Sequence, residues 1–250
     1  MRVAVAGGTG LVGRYVVSAL SAAGDTPVIL ARAAGVDITT GAGLDAALTG
    51  VDALVDVSNA TSTKKKGSVA FFDAGTTNLL AAGARAGVRH HVILSIVGID
   101  LVDFGYYFGK RRQEALALAS GRPVSILRST QFHEFADQLL DRGTGPIAVI
   151  PRMQVQPVAA REVAGALVEL VTGPPVGMAP ELGGPQRREL TDLARAVRTA
   201  RGSKKLLLEL RVPGAAGKAM AGGALVPRGD GPRGRQTFDE WLATLSPVTR

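Results

Sequence analysis

Cysteine is absent from the chain. Its absence excludes a disulfide framework and every thiolate metal site, and accords with a reducing cytoplasm as the expected location. Histidine is scarce at three residues, two of them adjacent (His90 and His91) with no ligand cluster around them, so no metal centre is expected. The pair precedes an apolar strand and is read as half-exposed. Aromatic residues make up only 4% of the chain, and three Tyr and one Trp offer little for base stacking. No nucleic-acid motif accompanies the net charge of +8, so nucleic acid is not an expected partner. The positive residues are scattered singles apart from Lys64–Lys66 and Lys110–Arg112, and attraction for an anionic cofactor explains the balance. Long apolar runs are missing too. None reaches the ~18 residues of a membrane span. The opening run stops at Gly7 after four apolar residues, short of the ~7–15 of a secretory signal.

What is present is a globular composition, 46% apolar and 20% charged over 250 residues, with 32 glycines gathered at turns. Short apolar runs read as buried strands at Val3–Ala6, Pro27–Ala31, Ala53–Val57, His91–Ser95 and Val124–Arg128. Helical patterns lie between them at Leu11–Ala23, Gly43–Leu48, Val69–Ala86 and Tyr106–Ser120. This alternation specifies an α/β fold, a doubly wound parallel sheet covered on both faces. After about residue 130 the rhythm changes. Helices are expected at Glu162–Thr172, Leu190–Arg201 and Phe238–Leu245, a strand within Ser203–Val212, and loop with a short helix over Pro213–Asp230. Too few apolar runs remain for a second large core. Residues 130–250 therefore read as a small, mostly helical, substrate-side cap on a single domain spanning 1–250, with Trp241 as a core anchor.

The segment "GGTGLVG" over 7–13 falls between a strand and a helix, the context of a dinucleotide-binding turn. Gly7 and Gly10 permit a tight turn and close approach of amides to a diphosphate, and Gly13 permits close helix–strand packing. Thr9, Leu11 and Val12 complete the turn, and the helix N-terminus turns its amides toward the anion. At the end of the second strand, where the NAD version carries an acidic residue, the chain reads Leu30-Ala31-Arg32. An Arg there grips a 2′-phosphate through its planar fork, so NADP(H) is expected over NAD(H); a solvated strand-end Arg is the bland alternative. Asp37 and Ile38, after a short third strand, are expected beside the adenine, with the Asp reaching its amino group.

With "GGTGLVG", Arg32, "VSNA" and "LSIVGID…YYFGK" in this order, the chain resembles an atypical short-chain dehydrogenase/reductase of the NmrA-like, NAD(P)-binding type. The likeness continues into "QPVAAREVAGALVELV" and "ELGGPQRRELTDLARAV". The resemblance implies a catalytic set of Ser95, Tyr106 and Lys110, the last two at i and i+4 on one helical face. Tyr106 would donate a proton to a carbonyl oxygen, Ser95 would hold that oxygen, and Lys110 would lower the phenol's pKa and hold the nicotinamide ribose. Tyr107 is a rival for the proton role, and a chance Tyr-Lys pair is the alternative to both. Ser58 and Asn59 would line the cofactor or form an ordinary turn. Gln131, Phe132 and His133 would contact substrate or follow a helix cap as core residues. Lys64–Lys66 reads as a loop, solvated or covering the phosphates. The implied function is NADPH-dependent reduction of a carbonyl, enone or quinone-like small molecule. The alternatives are a non-catalytic NADP-binding redox sensor and a nucleotide-sugar epimerase or dehydratase.

Overall fold

A computed structural model of the chain describes residues 1–142 and 145–245. In chain order the elements begin β1 (Arg2–Ala6), α1 (Leu11–Ala22), β2 (Thr26–Leu30), α2 (Leu44–Ala47), β3 (Ala53–Asp56) and α3 (Lys65–Ala86). They continue with β4 (His90–Ile96), α4 (Gly105–Ala119), β5 (Val124–Ser129), α5 (Glu134–Asp141), β6 (Ile147–Pro151), β7 (Gln154–Val155) and α6 (Ala160–Thr172). The last are β8 (Gly177–Met178), β9 (Arg188–Glu189), α7 (Leu190–Ala200), β10 (Leu206–Leu210), α8 (Gly214–Ala221) and α9 (Phe238–Leu242).

Two compact units result. The first comprises Met1–Ser95, Phe104–Arg128 and Ala160–Pro180. It is built on a six-stranded sheet in the order β2-β1-β3-β4-β5-β8, with β1 parallel to both β2 and β3. The strands are continuous apolar runs because the sheet is covered on both faces; four of five residues of β1 and all of β3 are buried. Ala4 and Ala6 of β1 pack with Leu79 and Ala82 of α3. Val3 and Val5 alternate to the opposite face. Helices α1 and α6 pack on each other, as do α3 and α4. The register sets the first three strand ends level: Ala6 stands opposite Leu30 and Asp56. Asp56 stands opposite Ile93, so β4 runs on past the carboxyl ends of β1 to β3 as far as Ile96. The strand order reverses between β1 and β3, the place where such sheets open a crevice.

The expected third strand does not form. Residues 36–43 make only an isolated bridge between Asp37 and Ala42. The Asp37 carboxylate accepts the Thr39 amide at 2.8 Å and its hydroxyl at 2.6 Å, closing a local turn, and Gly35 and Gly41 flank it at φ 75° and 81°. A side chain that satisfies nearby backbone in this way competes with strand pairing.

The second unit comprises Ile96–Asp103, Ser129–Ala159 and the chain from Glu181 onward. It contains α5, α7, α8 and α9 together with two small sheets, parallel β6–β10 and antiparallel β7–β9. Helices α5 and α7 pack together, and Phe238, Trp241 and His133 form an aromatic cluster with ring centroids 5.3–5.9 Å apart. Trp241 is buried, as expected of a core anchor.

Candidate functional site

The glycine segment leaves β1 at Ala6 and enters α1 at Leu11. Gly7 adopts φ 81°, and the Gly10 amide bonds back to Gly7 O at 2.9 Å. A Cβ on Gly7 would lie 2.8 Å from Val57 O, and one on Gly13 would lie 2.1 Å from Gly7 O. The turn is thus closed backbone to backbone, with no room for a side chain at Gly7 or Gly13. Helix α1 has no side-chain cap and no acidic residue in its first turn. Its first amides have no intrahelical acceptor, and the helix dipole adds positive potential there. This arrangement suits an anion such as a diphosphate. Thr9 is exposed and Leu11 half-buried, whereas the Val12 side chain is buried, leaving only its backbone to the turn. Arg14, which sequence reasoning passed over, donates from Nη1 to Thr9 O at 3.1 Å and brings a guanidinium beside the turn. Its signal was a basic residue directly after the third glycine.

Arg32 begins a short 3-10 turn after β2, in which its carbonyl accepts the Gly35 amide at 3.0 Å; its side chain is exposed and makes no hydrogen bond among the described residues. Asp37 is otherwise engaged. The two bonds from Thr39 hold its carboxyl below the usual range, and its role is to shape the loop, not to reach outward as expected. Ile38 turns toward α3, where its Cδ1 would sit 3.2 Å from a Cβ on Gly75. Asn78 of the same helix donates to the carbonyls of Ile38 and Thr39.

Helix α4 delivers the Tyr-Lys pair to the carboxyl edge. The Tyr106 hydroxyl donates to Asn59 Oδ1 at 2.6 Å, so the loop after β3 and the start of α4 meet there. Its ring packs edge-on against Phe72 and Tyr107. Lys110 is buried and does not reach the phenol; its Nζ donates to Leu94 O at 2.6 Å and to Gln113 Oε1. The expectation that Lys110 lowers the Tyr106 pKa is therefore corrected. Burial, with Tyr107 and Asp56 adding to it, pushes that phenol above its ordinary value, and burial likewise raises Tyr107. Burial also pulls Lys110 down to about 8 against the opposing carboxylates of Asp56 and Glu114. Ser95 is 1% exposed near the end of β4, and its Oγ has no protein partner among the described residues. Ser58 is buried, and its amide donates to Asp56 Oδ1 at 2.9 Å.

Sequence reasoning missed the polar groups behind this edge. Gln113 Nε2 donates to Asp56 Oδ2 at 2.8 Å, and Arg128 of β5 pairs with Glu114 at 2.6 Å. Helix α4 is thereby fastened to the ends of three strands: Asp56 of β3, Leu94 of β4 and Arg128 of β5. The signal was a polar stripe at Lys110, Gln113 and Glu114, which resembles a solvated face until the fold buries it.

Three further expectations are corrected or relocated. Lys64–Lys66 is not a free loop: Lys64 is the N-cap of α3 and Lys65 its first residue, with Lys65 Nζ 4.0 Å over the Phe108 ring. His90 and His91 are buried, not half-exposed. His90 Nε2 meets Ser125 Oγ at 2.8 Å, and burial draws His91 down to about 4, against the pull of Asp56. Gln131, Phe132 and His133 belong to the second unit. Gln131 and Phe132 are half-buried, and His133 is enclosed by Phe238 and Trp241 with Nε2 3.1 Å from Gln236 O.

No protein-family model matches the chain. A (4-alkanoyl-5-oxo-2,5-dihydrofuran-3-yl)methyl phosphate reductase from Streptomyces griseus is 33% identical over 142 residues, covering 51% of this chain and 47% of the relative. The chain spans about half the length of the curated relative it matches. Among solved structures, a UDP-N-acetylglucosamine 4-epimerase from Bacillus cereus superposes with TM-score 0.69 at 20% identity, covering 100% of this chain and 99% of the other. An NADPH-dependent quinone oxidoreductase from Escherichia coli, complexed with NADPH, gives 0.70 at 19% identity over 96% and 98%. A short-chain dehydrogenase/reductase superfamily protein from Agrobacterium tumefaciens with bound NAD gives 0.70 at 18% identity over 97% and 95%. At these identities the likeness is one of fold, and that fold is the doubly wound sheet described above.

Proposed function

We propose that the chain is an oxidoreductase that uses NADPH to reduce a carbonyl, enone or quinone-like small molecule by hydride transfer. The observation that carries the reading is the glycine turn. It is closed so tightly that a Cβ at Gly7 or Gly13 would strike backbone, and it ends at an uncapped, acid-free helix N-terminus. These residues fit a dinucleotide. The amides of Gly7–Gly13 would hold the diphosphate, Arg32 the 2′-phosphate, Ser58 and Asn59 the inner rim, and Lys110 the nicotinamide ribose. When bound, the nicotinamide supplies the hydride. The names of two similar proteins, the Streptomyces reductase and the Escherichia quinone oxidoreductase, support this class of reaction.

Tyr106 keeps its proton at neutral pH, the form in which it delivers that proton to an oxygen gaining negative charge. The unpartnered Ser95 hydroxyl has a donor to offer the same oxygen. NADPH absorbance followed across a panel of quinones, ketones and enones tests the proposal. Turnover in the parent chain is expected, with a loss of ~10²–10⁴-fold in Tyr106→Phe while NADPH binding persists. A second reading, a non-catalytic NADP-binding sensor, is favoured by the engagement of Tyr106 with Asn59 and of Lys110 with Leu94 and Gln113. Tight NADPH binding with no reduction across the panel selects it. The Bacillus cereus neighbour favours a third, nucleotide-sugar epimerisation, which would show as sugar conversion without net NADPH consumption.

A further inference from the structure

Asp56 stands at the centre of the polar groups behind the carboxyl edge. It is 1% exposed and both its oxygens are used: one accepts the Ser58 amide, the other Gln113 Nε2. Gln113, fully buried, passes its Oε1 to Lys110 Nζ. The polarity of this chain of contacts is forced. A carboxylate only accepts and an ammonium only donates, so the amide between them must turn its nitrogen to Asp56 and its oxygen to Lys110. The amide also keeps the two ions from direct contact, leaving Lys110 its remaining donor capacity.

We propose that Asp56 and Gln113 are positioning residues that hold the Lys110 amine at the end of β4, beside Ser95, for contact with the nicotinamide ribose. The inference rests on the NADPH-binding reading and deepens it. The same carboxylate anchors the Ser58–Asn59 loop, and Asn59 in turn holds the Tyr106 hydroxyl. One buried acid thus registers the loop after β3 with both members of the Tyr-Lys pair. The groups around Lys110 are Asp56 from β3, the Leu94 carbonyl from β4, the Phe72 ring 4.6 Å away on α3, and Glu114 on its own helix, paired with Arg128 of β5. His91, facing Asp56 from β4, is held neutral and does not compete for the carboxylate's charge.

The test exchanges donor and acceptor. Gln113→Met removes both polar ends at similar volume. Asp56→Asn offers an amide N–H where the carboxylate accepted, so Gln113 must turn over and present its own nitrogen to Lys110. The double variant Asp56→Asn/Gln113→Glu restores the order: the new asparagine donates, and the new glutamate accepts from both sides at unchanged total charge. Two readouts apply to the full chain. One is the titration of Lys110, followed without ligand through its ε-carbon by NMR and assigned with Lys110→Arg; the other is NADPH affinity. In both single variants the Lys110 midpoint should fall by about one pH unit. NADPH affinity should fall about tenfold. The double variant should recover both. If Gln113→Met fails to fold, the double variant against Asp56→Asn alone decides the matter. A Lys110 midpoint unmoved in the single variants overturns the proposal, as does a double variant no better than Asp56→Asn. NADPH affinity indifferent to all three variants overturns the positioning role even where the parent binds tightly. A parent chain that binds no NADPH overturns the functional reading instead, and the ligand-free titration still reports on the clamp.

Discussion

Replacing Gly13 with alanine would set a Cβ 2.1 Å from Gly7 O, 2.7 Å from Gly8 Cα and 2.8 Å from Gly7 C. All three atoms are backbone, so no side chain can rotate aside; either α1 withdraws from the turn or the turn opens. Overpacking of this kind costs about 1–3 kcal/mol or more, and alanine's helix advantage over glycine returns at most about 1. A net loss near 2 kcal/mol corresponds to a fall in Tm of about 4–8 °C for a chain of this size. Gly10 behaves differently. A Cβ there lies 3.2 Å from Gly7 O alone, on an exposed residue, so the fold should accept even valine. The branched side chain would nevertheless occupy the space a diphosphate needs above the helix amides. Urea denaturation and NADPH titration therefore separate the two positions. Gly13→Ala should lose stability and binding together, and Gly10→Val binding alone. Gly13→Ala as stable as the parent would refute the closed turn, and undiminished NADPH binding by Gly10→Val would show the turn to be structural only.

Arg32→Ala should weaken NADPH binding about 10- to 100-fold and leave NADH nearly untouched, the range of a charge-assisted contact; equal affinity of the parent chain for both cofactors would remove the basis for this. Tyr107→Phe should keep most turnover while Tyr106→Phe loses it, because Tyr106 shares a helical face with Lys110 at i, i+4; the opposite pattern in steady-state assays moves the proton donor by one residue. His91 stays neutral down to about 4 in the folded chain, whereas the unfolded chain takes up that proton near 6.5. Stability should therefore fall as pH drops from 6.5 towards 4, by up to about 3 kcal/mol, and His91→Leu should flatten most of that slope in urea melts. Lys110 releases its proton near 8 when folded and near 10.5 when unfolded, so its contribution to stability should rise with pH across that window. Lys110→Met should abolish the rise, and an unchanged slope would show that the amine is not the buried titrating group.

The glycine turn and Arg32 were legible in the sequence because their chemistry is local. Spacing within seven residues decides where backbone approaches backbone, and a strand end two residues away, at Leu30, decides where the Arg32 guanidinium emerges. The short third strand expected before Asp37 does not form for the converse reason: the Asp37 carboxylate, bonding two residues ahead, closes a local turn instead. Lys110 shows a third limit. Its position on the helix followed from i, i+4 spacing, but its effect depends on where Nζ points, and that is settled by Asp56, 57 residues from Gln113 in sequence. Periodicity counts apolar residues, so a buried stripe of Lys110, Gln113 and Glu114 passes for solvated surface. The converse holds at β10, a strand of four leucines and one glutamate, where Leu206 and Leu208 stand 64% and 55% exposed beside β6. Both cases have one cause: hydropathy reports what a side chain prefers, whereas the pairing of distant strands and helices decides which preference is met. The tuning of Tyr106 and Lys110 belongs to that second level, and the buried carboxylate of Asp56 is where the two levels meet.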